Sequence, residues 1–209
     1  MHTIKIRKGL NIPLKGEPEK TIENIKLPLT FAVKPPDFTG FQHKLLVKVG
    51  DKVIAGTPIL HNKTNEKIVI TSPVSGEVVE VVRGEKRVLL EVRIKSDDVI
   101  KHEHFKDNNT IPTSKDEIIE LLLRSGLWAF IRQRPYDTIP EPTAIPRDIY
   151  ISTFDSSPLA PDYGFILKGK ENYIQVAVDE FSELTIGKIN FGLNAKAVDN
   201  TLFESIKNV

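Results

Sequence analysis

Two glycine-containing turn motifs, separated by only eleven residues, constrain the fold of this chain more than any other feature. The first covers residues 49–60 and carries Gly50 and Gly56, and the second covers residues 72–78 and carries Gly76. Each glycine allows a turn with positive φ, and the flanking Val and Leu residues alternate as they do in short strands. The motifs therefore predict a small, tightly wound β-structure with a narrow core.

Alternating apolar runs around these motifs predict strands of about five residues each. The runs cover residues 3–7, 44–49, 58–61, 67–71, 76–82 and 87–94. Together with the two motifs, this pattern resembles the biotinyl/lipoyl carrier fold, a flattened β-barrel called a barrel-sandwich hybrid.

The position of the carrier lysine argues against carrier chemistry. In the family that the motifs resemble, the modified lysine lies at a hairpin tip, seven residues before the residue that opens the second turn. Counting back from Ser72 gives Asn65, and the two nearest lysines, Lys63 and Lys67, are each displaced by two residues. A carrier needs its amine at a defined, protruding tip, so we expect a carrier fold without carrier chemistry.

Composition excludes several other classes of function. The chain has 29 basic and 28 acidic residues, which disfavours a nucleic-acid partner, and it has no Cys to form a disulfide, a thiolate metal site or an iron–sulfur cluster. No apolar stretch is long enough for a membrane span, and we expect a soluble protein or a soluble part of a larger one. Three of the five His residues are scattered. His102 and His104 form the one close pair, in a polar segment that fits a linker better than a metal site.

The second half begins with a helix whose two ends are both marked in the sequence. Ser114 and Glu117 form an S-x-x-E capping box, apolar residues follow at helical spacing, and Gly126 stands where a left-handed residue ends a helix. Residues 125–136 then hold the only Trp of the chain and two Arg before a Pro. The plainest interpretation is a loop packed by Trp128 and Phe130.

Further on, the sequence predicts a strand, a helix and a second strand. Residues 148–154 are β-branched and aromatic, residues 174–184 carry apolar side chains at helical spacing, and residues 188–193 are again apolar. This is the start of a β-α-β unit, with residues 155–162 as a loop at the carboxyl end of its first strand.

We therefore predict a mixed α+β protein. A barrel-sandwich hybrid β domain occupies residues 1–105, and the start of a Rossmann-like α/β domain, truncated after two strands, occupies residues 112–209. The charge changes with the composition, since residues 1–100 hold 17 basic and 12 acidic groups and the remainder hold 12 and 16.

Five separated motifs resemble one family in order and content. They are Gly9-Leu10 with Pro13 and Gly16, Arg83-Gly84-Glu85-Lys86-Arg87, Ser125-Gly126-Leu127-Trp128, Arg132-Gln133-Arg134-Pro135, and Pro158-Leu159-Ala160 with Asp162. Together they are similar to the A-subunit family of the sodium-translocating NADH:quinone reductases, whose members are considerably longer chains. The second half is also similar, at the level of fold, to the flavin-binding subunit of respiratory complex I.

The resemblance implies a function for the chain. It would be a peripheral subunit, on the cytoplasmic face of the bacterial inner membrane, of a complex that oxidises NADH, reduces ubiquinone and exports sodium. Its partners would be the other subunits, which carry the flavins and iron–sulfur centres, and this chain would carry no cofactor, no metal and no catalytic residue. We expect a structural or quinone-access role.

Three alternatives follow from the residues. Trp128, Arg132, Arg134 and Tyr136 could stack on a quinone ring and hydrogen-bond its carbonyls. Alternatively, the aromatic could be core, and the arginines could meet a neighbouring subunit or local carboxylates. A flavin-dependent NADH dehydrogenase module would need a glycine-rich phosphate loop at residues 126–135, where only one Gly stands among bulky side chains. A biotinyl/lipoyl-type carrier would need a modified Lys63 or Lys67.

Overall fold

The structure, a computed structural model, describes residues 14–16, 18–105, 112–195 and 199–209. It divides into two compact units, which are described separately. The first, here called the β unit, is Ile25–Ile145, and the second, here called the α/β unit, is Pro146–Val209 with the described residues up to Asn24. The strand predicted at residues 3–7 lies outside the described residues.

The β unit contains two antiparallel sheets. Its strands are β1 (Thr30–Val33), β2 (His43–Leu45), β3 (Lys52–Val53), β4 (Pro58–Asn62), β5 (Val69–Thr71), β6 (Gly76–Arg83) and β7 (Leu89–Ser96). One sheet has the order β1-β7-β6-β3 and the other has the order β2-β4-β5. The five runs predicted from residue 44 onwards each overlap one of these strands, β2 and β4 to β7, with bounds that differ by a few residues.

The interior of the β unit comes from the inward positions of these strands. In β7, Val92 and Ile94 are buried on either side of the partly exposed Arg93, and a register irregularity near Leu89 lets that residue be buried while Leu90 is exposed. A strand whose side chains alternate in this way buries one face and leaves the other to solvent. Strand β4 is buried at four of its five positions, including Ile59 and Leu60 at 0% exposure.

Two of the motif glycines are required by close contacts. Gly76 has φ +157, and a Cβ atom there would overlap the backbone carbonyl of Lys95 on the neighbouring strand. Gly56 has φ +105, and a Cβ atom there would lie 2.7 Å from both the Glu103 Cβ and the Phe105 ring. These turns therefore need glycine for space as well as for backbone conformation.

The segment predicted to be a linker is partly bound to the β unit. The Ala55 N–H donates to the Lys101 carbonyl at 2.9 Å, and the Glu103 N–H donates to the Ala55 carbonyl at 2.7 Å. Residues 101–103 thus form a short parallel bridge with the turn before β4. The linker prediction is wrong for these residues, because backbone pairing is invisible in a polar sequence.

Helix α1 (Lys115–Arg124) begins and ends as predicted. The Glu117 N–H donates to the Ser114 hydroxyl, and the Glu117 carboxylate accepts from the Ser114 N–H, which completes the capping box. Gly126 has φ +77, in the left-handed region. Ile118, Leu122 and Leu123 form the buried side of the helix.

Helix α1 and the residues up to Ile145 belong to the compact β unit, although they follow the β domain in sequence. The Thr71 hydroxyl donates to the Ser125 carbonyl at 3.4 Å, and a Cβ atom on Gly126 would lie 2.9 Å from Thr71. The helix therefore ends against strand β5. The boundary predicted between residues 105 and 112 stays a prediction, since the compact units part at Ile145 instead.

The α/β unit is built on two parallel strands, β8 (Ile149–Ser152) and β9 (Ile189–Gly192), joined through α2 (Tyr163–Ile166) and α3 (Glu171–Ser182). A further short helix, α4 (Thr201–Glu204), follows them. Val178, Ile189 and Ile206 form its buried core, and side chains from both strands and from α3 pack against it. The predicted strand, helix and strand are all present.

Candidate functional site

The hairpin tip between β4 and β5 is where the resemblance to carrier domains places the modified lysine. Asn65 stands there, and its side-chain amide donates to the Glu141 carboxylate at 2.9 Å. Its side-chain carbonyl accepts from the Lys67 N–H at 3.2 Å. The Asn62 side-chain carbonyl also accepts from the Thr64 N–H and hydroxyl. The tip is thus held by side-chain hydrogen bonds, whereas a carrier needs a side chain that can swing.

Trp128 lies in a single 3₁₀ turn, Leu127–Phe130, directly after the left-handed Gly126. Its side chain is 5% exposed, and the indole N–H donates to the Pro140 carbonyl at 2.8 Å. Both the face and the donor of the indole are therefore used within the β unit. This arrangement agrees with the packing interpretation of Trp128.

Phe130 behaves differently from Trp128. It is 67% exposed, and its ring meets the Phe38 ring edge-on with a centroid distance of 5.6 Å. Phe38 in turn lies 6.2 Å from the Phe41 ring. The expectation that Phe130 packs the loop is therefore wrong in part, because it joins an aromatic cluster yet keeps most of its surface open.

Arg132, Arg134 and Tyr136 lie on the loop after the 3₁₀ turn, which is closed by a 2.7 Å bond from the Gln133 N–H to the Thr138 carbonyl. The Arg134 guanidinium pairs loosely with Asp137 at 3.5 Å, with 77% of its side chain exposed, and Tyr136 is 78% exposed. One guanidinium nitrogen of Arg132 is buried without a hydrogen-bond partner in the described structure.

The four predicted quinone residues face different surroundings. Trp128 is turned into the interior, while Arg134 and Tyr136 are on the surface. Among the described residues, no hydrogen bond, ion pair or ring contact joins any two of the four. The quinone assignment stays a prediction.

Two further segments that carry family motifs, the turn after β6 and the start of α2, have defined shapes. In the turn after β6, the Gly84 N–H donates to the Val88 carbonyl at 2.8 Å, and Lys86 and Arg87 both have positive φ. In the α/β unit, Asp162 caps α2 by accepting from the Phe165 N–H at 3.1 Å. It also binds the Lys20 ammonium at 2.6 Å, and these contacts, that with Lys20 foremost, hold the pKa of the Asp162 carboxyl below its ordinary value.

His102 and His104 are both exposed. Within the part of the chain that is described, no group of three or more His, Cys, Asp or Glu residues is placed to hold a metal ion. Over the same residues, no helix combines the length and the apolar character needed to cross a membrane.

Several contacts that shape this region escaped sequence reasoning. The Asn65–Glu141 bond joins residues 76 positions apart, and the Trp128–Pro140 bond depends on a Pro-rich segment whose sequence has no periodic pattern. The Phe38–Phe41–Phe130 cluster could have been suspected only from the aromatic residues themselves. The open cleft of the α/β unit, described below, was also missed.

The fold and the hairpin tip together define a class of protein: a barrel-sandwich hybrid without a carrier lysine at its tip, followed by an α/β unit. A family model described as the NqrA N-terminal barrel-sandwich hybrid domain matches residues 4–97, and one described as the NqrA second alpha/beta domain matches residues 113–209. The chain belongs to the NqrA family and carries these two domains. The fold class and the family resemblance predicted from the sequence are confirmed.

Similar curated proteins are named as the A subunit of a Na(+)-translocating NADH-quinone reductase. The relative from Marinomonas is 34% identical over 187 residues, which is 88% of this chain. Those from Tolumonas auensis and Neisseria meningitidis are each 34% identical over 189 residues, or 89% and 90% of this chain. The aligned part is 42% of each relative, so the chain spans less than half the length of the relatives that it matches.

Proposed function

We propose that this chain is part of a peripheral subunit of a redox-driven sodium pump, on the cytoplasmic face of the bacterial inner membrane. The complex would oxidise NADH, reduce ubiquinone and export sodium. The chain would act in assembly, through contacts with other subunits, while the flavins and iron–sulfur centres lie elsewhere in the complex. Support comes from the name shared by the relatives and from the match to both NqrA domains.

The observation that carries the assembly role is the exposed surface on residues 127–136. Leu127 is 54% exposed, Phe130 67% and Tyr136 78%, and Arg134 lies on the same segment. Aromatic residues and arginine are enriched at protein–protein interfaces, and exposed apolar side chains on an ordered turn are typical of contact sites. By contrast, the hairpin tip at Asn65 is tied down and offers no carrier group.

The flavin alternative finds no support in the turn at Gly126. A phosphate cradle needs bare backbone amides that face open space. A Cβ atom on Gly126 would lie 2.9 Å from Thr71, so this turn is packed against strand β5. Trp128, two residues later, is buried.

Substitution within the assembled complex tests the assembly role. We expect Phe130→Glu to reduce co-purification of the subunit with the membrane subunits by about tenfold, because a charge replaces an exposed apolar contact. The matched control is Val99→Glu, at an apolar residue 77% exposed on another part of the β unit. Equal recovery of both variants with the complex would contradict the proposal.

A quinone-access role is a second candidate, and the unpartnered guanidinium nitrogen of Arg132 favours it. A guanidinium can donate to a quinone carbonyl, and Tyr136 or Phe130 could supply the ring contact, since Trp128 is already packed. The double variant Arg132→Ala/Arg134→Ala tests it. If the variant assembles normally and keeps wild-type quinone kinetics and photolabelling, this role is excluded while the assembly role stands.

A further inference from the structure

The α/β unit contains an open cleft of about 610 Å³ that the proposed function does not use. It lies at the carboxyl ends of the parallel strands, where Thr153 follows β8 and Phe191 belongs to β9. Ligands of open α/β sheets bind at this end of the strands. The volume is within the range of about 300–1,000 Å³ that is typical of small-molecule sites.

Aromatic rings form much of the cleft wall. Tyr163 and Leu167 contribute from α2 and the residue after it, Tyr173 from the first turn of α3, and Phe203 from α4. The Phe191 and Phe203 rings meet edge to face, with centroids 6.2 Å apart and an interplanar angle of 84°. Walls of this kind favour a flat aromatic ring, which can stack on one ring and meet the edge of another.

The polar groups of the cleft decide the charge of the ligand. The Thr153 hydroxyl donates to the Gly192 carbonyl at 2.9 Å, and the Ser152 hydroxyl donates to the Phe154 carbonyl at 2.7 Å. Both hydroxyl protons are therefore already used. The one charged residue in the lining is Lys170, which is exposed and forms no ion pair with the described carboxylates. An anionic group on a ligand would pair with this side chain at the rim of the cleft.

We propose that this cleft binds a small planar aromatic anion, of about two or three rings. The rings lie among Tyr163, Tyr173 and Phe203, and the anionic group pairs with Lys170 at the rim. The inference concerns the α/β unit by itself and does not depend on the role proposed for the surface around Phe130.

Titration of this chain with anilinonaphthalene sulfonate tests the proposal, because the dye is a planar aromatic anion whose fluorescence rises in apolar surroundings. We expect one saturable site per chain. Lys170→Gln should raise the Kd about two- to fivefold, the effect of losing one exposed ion pair. The matched control, Lys168→Gln, removes a charge from the same turn but outside the cleft lining, and should leave the Kd unchanged.

Two further pairs test the position of the site. Ala177→Phe fills the cleft and should raise the Kd at least about tenfold, whereas Val176→Phe on the same helix, outside the lining, should not.

Tyr173→Ser removes a wall residue that is 76% exposed, so folding should survive, and Tyr150→Ser is its control on β8. Far-ultraviolet circular dichroism checks that each variant folds. The proposal is overturned if no saturable binding occurs, or if the cleft variants bind as their controls do.

Discussion

The two units of the molecule differ in how they bury their apolar side chains. The β unit closes its turns with hydrogen bonds and with glycines that let backbones approach, and it buries all of Ile59, Leu60, Val78, Val92 and Ile94. The α/β unit has only two described strands, and three buried residues form its central cluster. Tyr150, on the outer face of β8, is 71% exposed.

This difference follows from the kind of sheet. An antiparallel sheet can leave one face in solvent, so seven short strands suffice for the β unit. Parallel sheets normally have both faces covered, and two strands with one long helix leave apolar surface open. We therefore expect the β unit to be the more stable of the two.

The largest effect should come from the closest backbone contact. Gly76→Ala places a Cβ atom against the Lys95 carbonyl at a φ of +157, and should lower the free energy of unfolding by about 3 kcal/mol or more. Urea unfolding followed by fluorescence reports the β unit, which holds the only Trp. Gly50→Ala is the control, since φ is +92 but the space around it is open, and it should cost about 1–2 kcal/mol. Equal losses of unfolding free energy in Gly76→Ala and Gly50→Ala would show that the contact with the Lys95 carbonyl contributes nothing.

A pair of core substitutions asks whether the units unfold separately. Ile59→Ala in the β unit and Ile189→Ala in the α/β unit each empty a buried site, at 0% and 1% exposure, and each should cost about 2–5 kcal/mol locally. Only Ile59→Ala should lower the urea midpoint seen by Trp128 fluorescence. A similar shift with Ile189→Ala would show one cooperative transition and remove the contrast in stability.

The bond between Asn65 and Glu141 should contribute less. A double-mutant cycle of Asn65→Ala and Glu141→Ala should give a coupling of about 0.5–1 kcal/mol, because the bond is charge-assisted but exposed. Amide hydrogen exchange at Thr64 and Lys67 should become faster in Asn65→Ala. Zero coupling would mean that the tip is held by local bonds alone.

The smallest effect should be the pH dependence of the α1 cap. Hydrogen bonds from the Thr113 N–H, and then from Ser114, hold the pKa of the Glu117 carboxyl below its ordinary value of 4.5. A lowered folded pKa gives stability that is present above the unfolded pKa and is lost as the pH falls through the folded one. In Glu117→Gln, the unfolding midpoint should depend less steeply on pH below about pH 4.5. If the midpoint falls with acid as steeply in Glu117→Gln as in the wild type, other carboxyl groups determine the loss of stability at low pH.

Local signals in the sequence predicted the local structure well. The capping box at Ser114 needs residues only three apart, and Gly126 needs only its own backbone, so both were visible. The strands of the β unit followed from alternation over a few residues. In the α/β unit, the strands and the helix were predicted from the change between strand-like and helical spacing of the apolar residues.

Contacts between distant residues could not be predicted. Nothing in the sequence pairs Asn65 with Glu141, or directs the indole of Trp128 to the Pro140 carbonyl. Trp128 and Arg134 are six residues apart, and the sequence does not show that one is turned inward and the other outward. The same limit applies to α1, whose amphipathic pattern predicts a buried face without indicating which unit covers it.

The short bridge between Ala55 and residues 101–103 has a mechanical consequence. Gly56, with its Cβ position filled by Glu103 and Phe105, lets the departing chain lie flat over the start of strand β4. A pull on the chain beyond Phe105 would first load the two backbone hydrogen bonds at Ala55, in the turn before strand β4, so residues 101–103 would hold that turn until both bonds broke.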